Sequence, residues 1–362
     1  MLERDCMQKV EYPTIEPVLD AAPRPFWSVM IPVYNRIKYL ERALKSVLCQ
    51  DPGADEMQIE VVDDYSTQEI QEQIIKVLNL YDRVSYYRQP SHVGMSANWN
   101  TCIQRAHGCW VHILHDDDMI LPGFYVAYRE LIKRHPGIVL LFSPVIEIDE
   151  NDTWTRIHHS PCPYPLTPEG LVSNAAYEVT KDSRIVPSSA VVRRDVYASV
   201  GGFAKHLSYA VDWEMWMRIA RTGPLGYINH PYTLCRNHRS SATRDLEVTG
   251  RTVPEIRRTI EIGVNSLPPE QQREARLSIY KNCAEYSNYC RALYFLEHNY
   301  KIALFYACWA FRFYPSVRNF LRALKCIYSV LKSVLSQKRN SKSMETAEGA
   351  QCKVANKGYR TH

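Results

Sequence analysis

Between residues 26 and 114 the chain alternates short apolar runs with amphipathic stretches, and this rhythm restricts its fold more than any other feature. FWSVMIPV (26–33), QIEVVD (58–63), VSYYR (84–88) and WVHIL (110–114) have strand length and are bounded by polar residues. The stretches between them place apolar side chains at helical intervals. Ile37, Leu40, Leu44, Val47 and Leu48 share one face, as do Ile70, Ile74, Val77 and Leu78, and a third helix is expected near 95–107. Asn35 is suited to cap the first of these helices. Repeats of strand and helix build an α/β, Rossmann-like architecture: a mostly parallel sheet with helices on both faces. Ligands of such sheets bind beyond the carboxyl ends of the strands. The polar groups that fall there are Tyr34 and Asn35 after the first run, Asp63 and Asp64 after the second, and Asp116, Asp117 and Asp118 after the fourth.

The alternation continues past Pro122. A helix carrying Phe124, Ala127 and Leu131 leads into one long expected strand, IVLLFSPVIEI (138–148), and a Pro-rich loop follows at 160–168. RIVPSSAVVRRDVYASVGGF reads as a strand, a short helix and a Gly-Gly turn. AVDWEMWMRIARTG reads as a helix stopped by Gly223 and Pro224, with two short strands after it. From about residue 245 strands vanish and a C-terminal all-helical extension is expected. It contains a helical hairpin and then SVRNFLRALKCIYSVLKSVLSQKRN, a cationic amphipathic helix. That helix is suited to lie on an anionic membrane surface, or to pack its apolar face on the hairpin. The expected organisation is an extended arm over 1–25, an α/β domain over 26–244, a helical region over 245–337 and a disordered polar tail over 338–362.

Composition narrows the classes of function. The chain of 362 residues is 46% hydrophobic and 23% charged, so it can bury a large core. Its net charge of +5 comes mostly from the C-terminal end, and no basic stripe interleaved with aromatics precedes residue 300. Nucleic acid is therefore not an expected partner. The eleven cysteines show neither CxxC nor zinc-ligand spacing, which suits free thiols in a reducing cytoplasm. No apolar segment approaches the roughly 18 residues of a spanning helix.

Three consecutive aspartates at a strand end invite a cation. Hard divalent ions prefer carboxylate oxygens, and magnesium-type ions are held by one or two carboxylates together with substrate phosphates. The competing reading is a solvated run before the helix that Pro122 opens. Further acids at the second strand end favour the metal.

Five segments carry a resemblance. VMIPVYNRIKYLERALKSVLCQ, IEVVDDYST, HVGMSANWN, ILHDDDMILPGFY and VDWEMWMRIA, in this order from about residue 27 to about residue 244, resemble the family 2 glycosyltransferases of the GT-A fold. The resemblance implies inverting transfer of a sugar from a nucleotide diphosphate, typically UDP, to an acceptor hydroxyl, with Mn2+ or Mg2+. It implies that Tyr34, flanked by the further nucleotide-sugar-binding candidates Pro32 and Asn35, stacks on the base. Asp64, with Asp63 beside it, would accept a hydrogen bond from the base. Asp116 would contact the ribose or share the metal, and Asp117, joined by Asp118 and His238, would hold the metal. Gly94, Ser96 and Asn98 would approach the ribose and donor sugar, and Arg236 would reach the diphosphate. Asp212 is implied as the catalytic base, a helix cap being its structural alternative.

The sequence departs from the family at His115, where many relatives have aspartate, and at Val211, where many have glutamate. The QxxRW motif and spanning helices of processive synthases are absent, which fits transfer of a single sugar to a lipid-linked glycan or other glycoconjugate. Two alternatives stand beside this reading. One is a non-catalytic nucleotide-sugar-binding scaffold. The other is a nucleotidyltransferase, for which IPVYNRIKY lacks the expected glycine-rich loop.

Overall fold

A computed structural model of the chain describes residues 12–19, 23–158, 168–182, 185–238, 246, 249, 252–333 and 335. The first apolar run becomes β1 (Trp27–Val33), buried along its whole length. It runs parallel to β2 (Met57–Asp63) on one side and β4 (Trp110–Ile113) on the other, and β3 (Ser85–Arg88) extends the sheet beyond β2. Burial on both faces explains why β1 is apolar at nearly every position rather than at alternate ones.

The connections are α1 (Leu40–Leu48), α2 (Gln68–Leu78) and α3 (Met95–Arg105). Helix α1 buries Leu40, Ala43, Leu44 and Val47 against the sheet. Each such leucine or valine contributes about 1.5–3 kcal/mol by leaving water. Asn35 does not cap α1, whose N-cap is Tyr39. Asn35 takes a left-handed conformation at φ 48°, and its side chain accepts a hydrogen bond from Thr67 N–H, just before α2.

The later elements are β5 (Met119–Ile120), α4 (Phe124–Arg134), β6 (Leu140–Phe142), β7 (Val145–Ile148), β8 (Trp154–His158), β9 (Glu169–Leu171), α5 (Ala175–Lys181), β10 (Val191–Arg193), α6 (Arg194–Val200), α7 (Val211–Ile219), β11 (Leu225–Ile228) and β12 (Thr233–Arg236). An eight-stranded sheet has the order β3-β2-β1-β4-β10-β6-β11-β9. Strands β10 and β9 run against the other six, so the sheet is mostly parallel, as expected.

The single strand expected over 138–148 is two. Strand β6 belongs to the large sheet, whereas β7 belongs to a second, four-stranded sheet of order β5-β12-β7-β8. The break falls at Ser143 and Pro144; proline has no N–H to continue a ladder, so the chain leaves one sheet and joins the other there.

Two compact units divide the chain, Met1–Arg276 and Leu277–His362. The first includes α8 (Thr252–Asn265), and the division falls within α9 (Pro269–Leu296). The second holds α10 (Tyr300–Phe313) and α11 (317–333). The expected disordered tail over 338–362, most of the Pro-rich loop at 160–168 and the start of the N-terminal arm lie outside the described residues.

Candidate active site

Because β1, β2 and β4 are parallel, the residues that follow them emerge along one edge of the sheet. Strand β10 is antiparallel to β4, so the 3-10 turn Pro187–Ser189 that precedes it lies at the same edge. Strand β12, paired with β5, brings Arg236 and His238 to the aspartate run.

The three aspartates are almost wholly buried and each has its own partners. Asp116 accepts a two-pronged contact from the Arg36 guanidinium, through Nε at 3.0 Å and through Nη2. Asp117 Oδ2 lies 2.9 Å from Arg36 Nη1 and 3.0 Å from His238 Nε2. Asp118 accepts hydrogen bonds from Ser188 Oγ and, at 2.8 Å, from the Arg236 backbone N–H.

Burial pushes the Asp116 carboxyl up to about 6, against the pull of Arg36. Burial, reinforced by the charge of Asp117, pushes Asp118 up to about 7. Asp117 is also raised by burial, but its hydrogen bond to His238 and the charge of Arg36 outweigh this and leave it below the ordinary carboxylate value. Two carboxyls that burial makes harder to ionise would gain most from a cation placed beside them.

A divalent cation fits this cluster. Ligand atoms of His115, Asp117 and Asp118 lie within 4.8 Å of one another, and His115 Nε2 is buried without a hydrogen-bond partner. Asp117 and Asp118 were expected in such a set. His115, noted in the sequence only as a departure, takes the third place, while His238 sits against Asp117.

At the end of β2, Asp64 accepts hydrogen bonds from the N–H groups of Val93 and Gly94 at 2.8 and 2.9 Å, and His92 Nδ1 lies 2.9 Å from it. Gly94 precedes α3 at φ 87°, a backbone shape that favours glycine. Tyr34 is 45% exposed and stacks on His92 with ring centroids 4.2 Å apart. Asp64 thus fixes the loop that carries half of an open aromatic platform.

Asp212 lies in the first turn of α7. The N-cap is Ala210, so the capping alternative does not hold, although Asp212 Oδ1 accepts a hydrogen bond from Trp213 N–H at 2.7 Å. Burial pushes its carboxyl up to about 6, against the pull of the Trp213 and Asp212 backbone N–H groups and of His115. Asp212 is close enough to His115 that each acts on the other's charge, which ties α7 to the aspartate run. Further along α7, Glu214 and Arg218 form a buried pair, and Tyr12 hydroxyl donates to Glu214 at 2.7 Å.

Several residues expected at the ligand are turned into the protein. Asp63 is fully buried and accepts from Ser66 and from the Tyr86 hydroxyl. Ser96 donates to the Leu207 carbonyl, and Asn98 donates to the Val62 carbonyl. Arg236 spends its guanidinium on the carbonyls of Asp117 and Asp149 and on Asp152, over the Tyr39 ring. Pro32 is buried in β1, opposite Val62 and beyond the last β1–β4 pair, where its missing N–H breaks no bond to β4.

The residues missed by sequence reasoning are Arg36, His92, His115 and Ser188. For Arg36 a signal existed: it lies two residues past Tyr34, on the loop facing the acids.

The comparisons with known proteins agree with this arrangement. The description "Glycosyl transferase family 2" matches residues 28–201. The amylovoran biosynthesis glycosyltransferase AmsE of Erwinia amylovora is 27% identical over 200 residues, covering 54% of this chain and 70% of AmsE. Among solved structures, S. aureus TarS 1–349 in complex with UDP-GlcNAc superposes with a TM-score of 0.59 at 16% identity, covering 86% of this chain and 91% of that one. The mannosyltransferase PcManGT of Pyrobaculum calidifontis, in complex with GDP-Man and Mn2+, has a TM-score of 0.52 at 16% identity, with 87% and 84% covered. These structures share the GT-A fold with the chain, whose residues 28–201 match the model of glycosyl transferase family 2 and so carry a glycosyltransferase domain.

Proposed function

We propose that this glycosyltransferase of glycan biosynthesis is inverting and metal-dependent. It moves one sugar from a nucleotide diphosphate, UDP by preference, to a hydroxyl of a lipid-linked glycan or other glycoconjugate, as in polysaccharide or O-antigen assembly. The observation that carries the reading is the gathering of three buried aspartates and His115 at the strand ends, with the buried carboxyl of Asp212, pushed up to about 6, contributed by α7. The donors bound by TarS and PcManGT, and the Mn2+ of PcManGT, support it.

Asp117, Asp118 and His115 would hold Mn2+ or Mg2+, whose chemistry there is to stabilise negative charge on the departing diphosphate. Tyr34, with His92 beneath it, offers a flat face to the base, and Asp64 keeps the 92–94 loop in place and hydrogen-bonds the base edge. Asp116 and Arg36, paired beside Asp117, would face the ribose and diphosphate of a bound donor. Arg36 presents a planar fork suited to phosphate oxygens once it leaves the carboxylates. Asp212 accepts the proton of the acceptor hydroxyl as that oxygen attacks the anomeric carbon. A value near 6 leaves it ionised at neutral pH yet more basic than an exposed aspartate.

The eight described cysteines are free, which supports a cytoplasmic location. Among the described residues no helix is long and apolar enough to cross a membrane, and contact with lipid is therefore proposed to be peripheral.

The test is a screen of nucleotide sugars with Mn2+ or Mg2+, read by thermal shift and by donor hydrolysis. One donor should stabilise the protein only with the cation. Asp212→Asn should retain that stabilisation and lose transfer. Normal transfer by Asp212→Asn would remove the base assigned here and favour another acid.

A further inference from the structure

We infer that α11 is a docking surface for an anionic lipid bilayer, seated by an apolar stripe that the fold turns outward. Val317, Phe320, Leu321, Leu324, Ile327, Tyr328 and Leu331 recur at helical spacing and are exposed by 40–77%. An amphipathic helix in a globular unit normally buries this face, and here it does the reverse. The face packed inward carries Asn319 and Cys326, buried to 5% and 0% exposure. At about 100° per residue they lie on the far side of the helix from the stripe.

Asn319 explains why the orientation holds. Its amide donates to the carbonyls of Ala310 and Tyr314 at 3.2 and 2.9 Å, closing the end of α10, and it accepts from Asn288 at 2.9 Å. Rotating the helix to bury the stripe would break this polar lock and expose groups that satisfy carbonyls at a helix terminus.

Charge selects the occupant. From His298 to Met344 the sequence has no aspartate or glutamate, while lysine and arginine occur nine times. On α11 Arg318, Lys325 and Lys332 are exposed along one flank of the stripe. After burial, the repulsion of Arg318 and Arg291 holds Arg322 below the usual guanidinium value. An apolar face edged by cations and free of acids matches an acyl boundary beneath anionic headgroups, with long basic side chains reaching the phosphates. A second copy of the chain would match the stripe but would set these cations against each other. The surface is independent of the transfer chemistry proposed above, and it would hold the enzyme where a lipid-linked acceptor is found.

The full chain tests this by co-sedimentation with vesicles of phosphatidylglycerol and phosphatidylethanolamine, compared with phosphatidylcholine vesicles. The wild-type chain should partition at least about tenfold more strongly onto the anionic vesicles and detach as salt is raised. Leu321→Asp, Leu324→Asp and Leu331→Asp together should abolish partition without lowering Tm, because these side chains face solvent. Arg318→Ser, Lys325→Ser and Lys332→Ser together keep the stripe and should weaken partition roughly a hundredfold. Equal partition onto both vesicle types, or unimpaired partition by either variant, would overturn the proposal. So would a wild-type dimer that ignores vesicles and becomes monomeric in the leucine variant, which would make a second copy the occupant.

Discussion

Replacing Asp212 with asparagine should make the protein more stable while removing transfer. Burial raises this carboxyl from an ordinary 3.8 to about 6. In the unfolded chain Asp212 ionises at its ordinary value, so below about pH 4 both states hold the proton and burial costs nothing. As pH rises through about 6 the folded state must carry a buried charge that the unfolded state carries in water, and stability is lost. A shift of roughly two units corresponds to ~3 kcal/mol at pH 7.5. Asp212 keeps some contact with solvent, which reduces the cost to ~1–3 kcal/mol. Asparagine has no charge to desolvate, and its amide oxygen can still accept from Trp213 N–H. Thermal unfolding of the wild-type and Asp212→Asn proteins should therefore diverge, with the variant higher at pH 7.5 by several degrees and equal at pH 4. Transfer by the wild type should rise with pH through about 6 and then level off, since the base must be ionised to accept a proton. A variant that is less stable at pH 7.5, or whose advantage is the same at both pH values, would refute the argument that Asp212 is held there against its own solvation.

Three further substitutions probe the groups around it. Arg36→Ala removes the guanidinium that contacts Asp116, so metal-free protein should lose ~1–3 kcal/mol, below the cost of breaking a fully buried pair because Arg36 is 31% exposed. The freed carboxylates should bind Mn2+ alone more tightly, as read by titration calorimetry, and weaker Mn2+ binding would contradict Arg36 as a competing counter-ion. Tyr34→Ala should raise the KM for the donor by roughly 5- to 150-fold, from a stacking loss of ~1–3 kcal/mol, and leave kcat nearly unchanged; an equal fall in kcat would count against a platform role. Glu214→Ala leaves Arg218 buried without its carboxylate and should cost ~3–5 kcal/mol in denaturant unfolding. A loss under 1 kcal/mol would mean that the carbonyls of Val200, Gly201 and Gly202, which also accept from Arg218, suffice.

The parallel sheet was legible because strand and helix periods are local properties, and Tyr34, Asp64 and the aspartate run reach one edge because strands of like direction end together. What was not legible came from long-range contact. Ser188 meets Asp118 across 70 residues through an antiparallel strand, and no spacing announces that. The run 138–148 looked like one strand because its apolar character continues through the break, with Pro144 as the single cue. Asp63, Ser96 and Asn98 sit beside the edge, but whether a polar side chain turns to ligand or to backbone is decided by its neighbours. Arg36 was passed over because an arginine after a strand is ordinary; its meaning appears only once three buried acids face it.

The central claim is that the acid cluster binds a cation and that the cation holds the nucleotide diphosphate. Titration calorimetry of UDP into the protein, with EDTA and then with Mn2+, measures it most directly, repeated on Asp117→Asn. Binding tightened by at least about tenfold with Mn2+ in the wild type, and unchanged by Mn2+ in Asp117→Asn, is the expected result. Equal UDP affinity with and without the cation in the wild type would contradict the account.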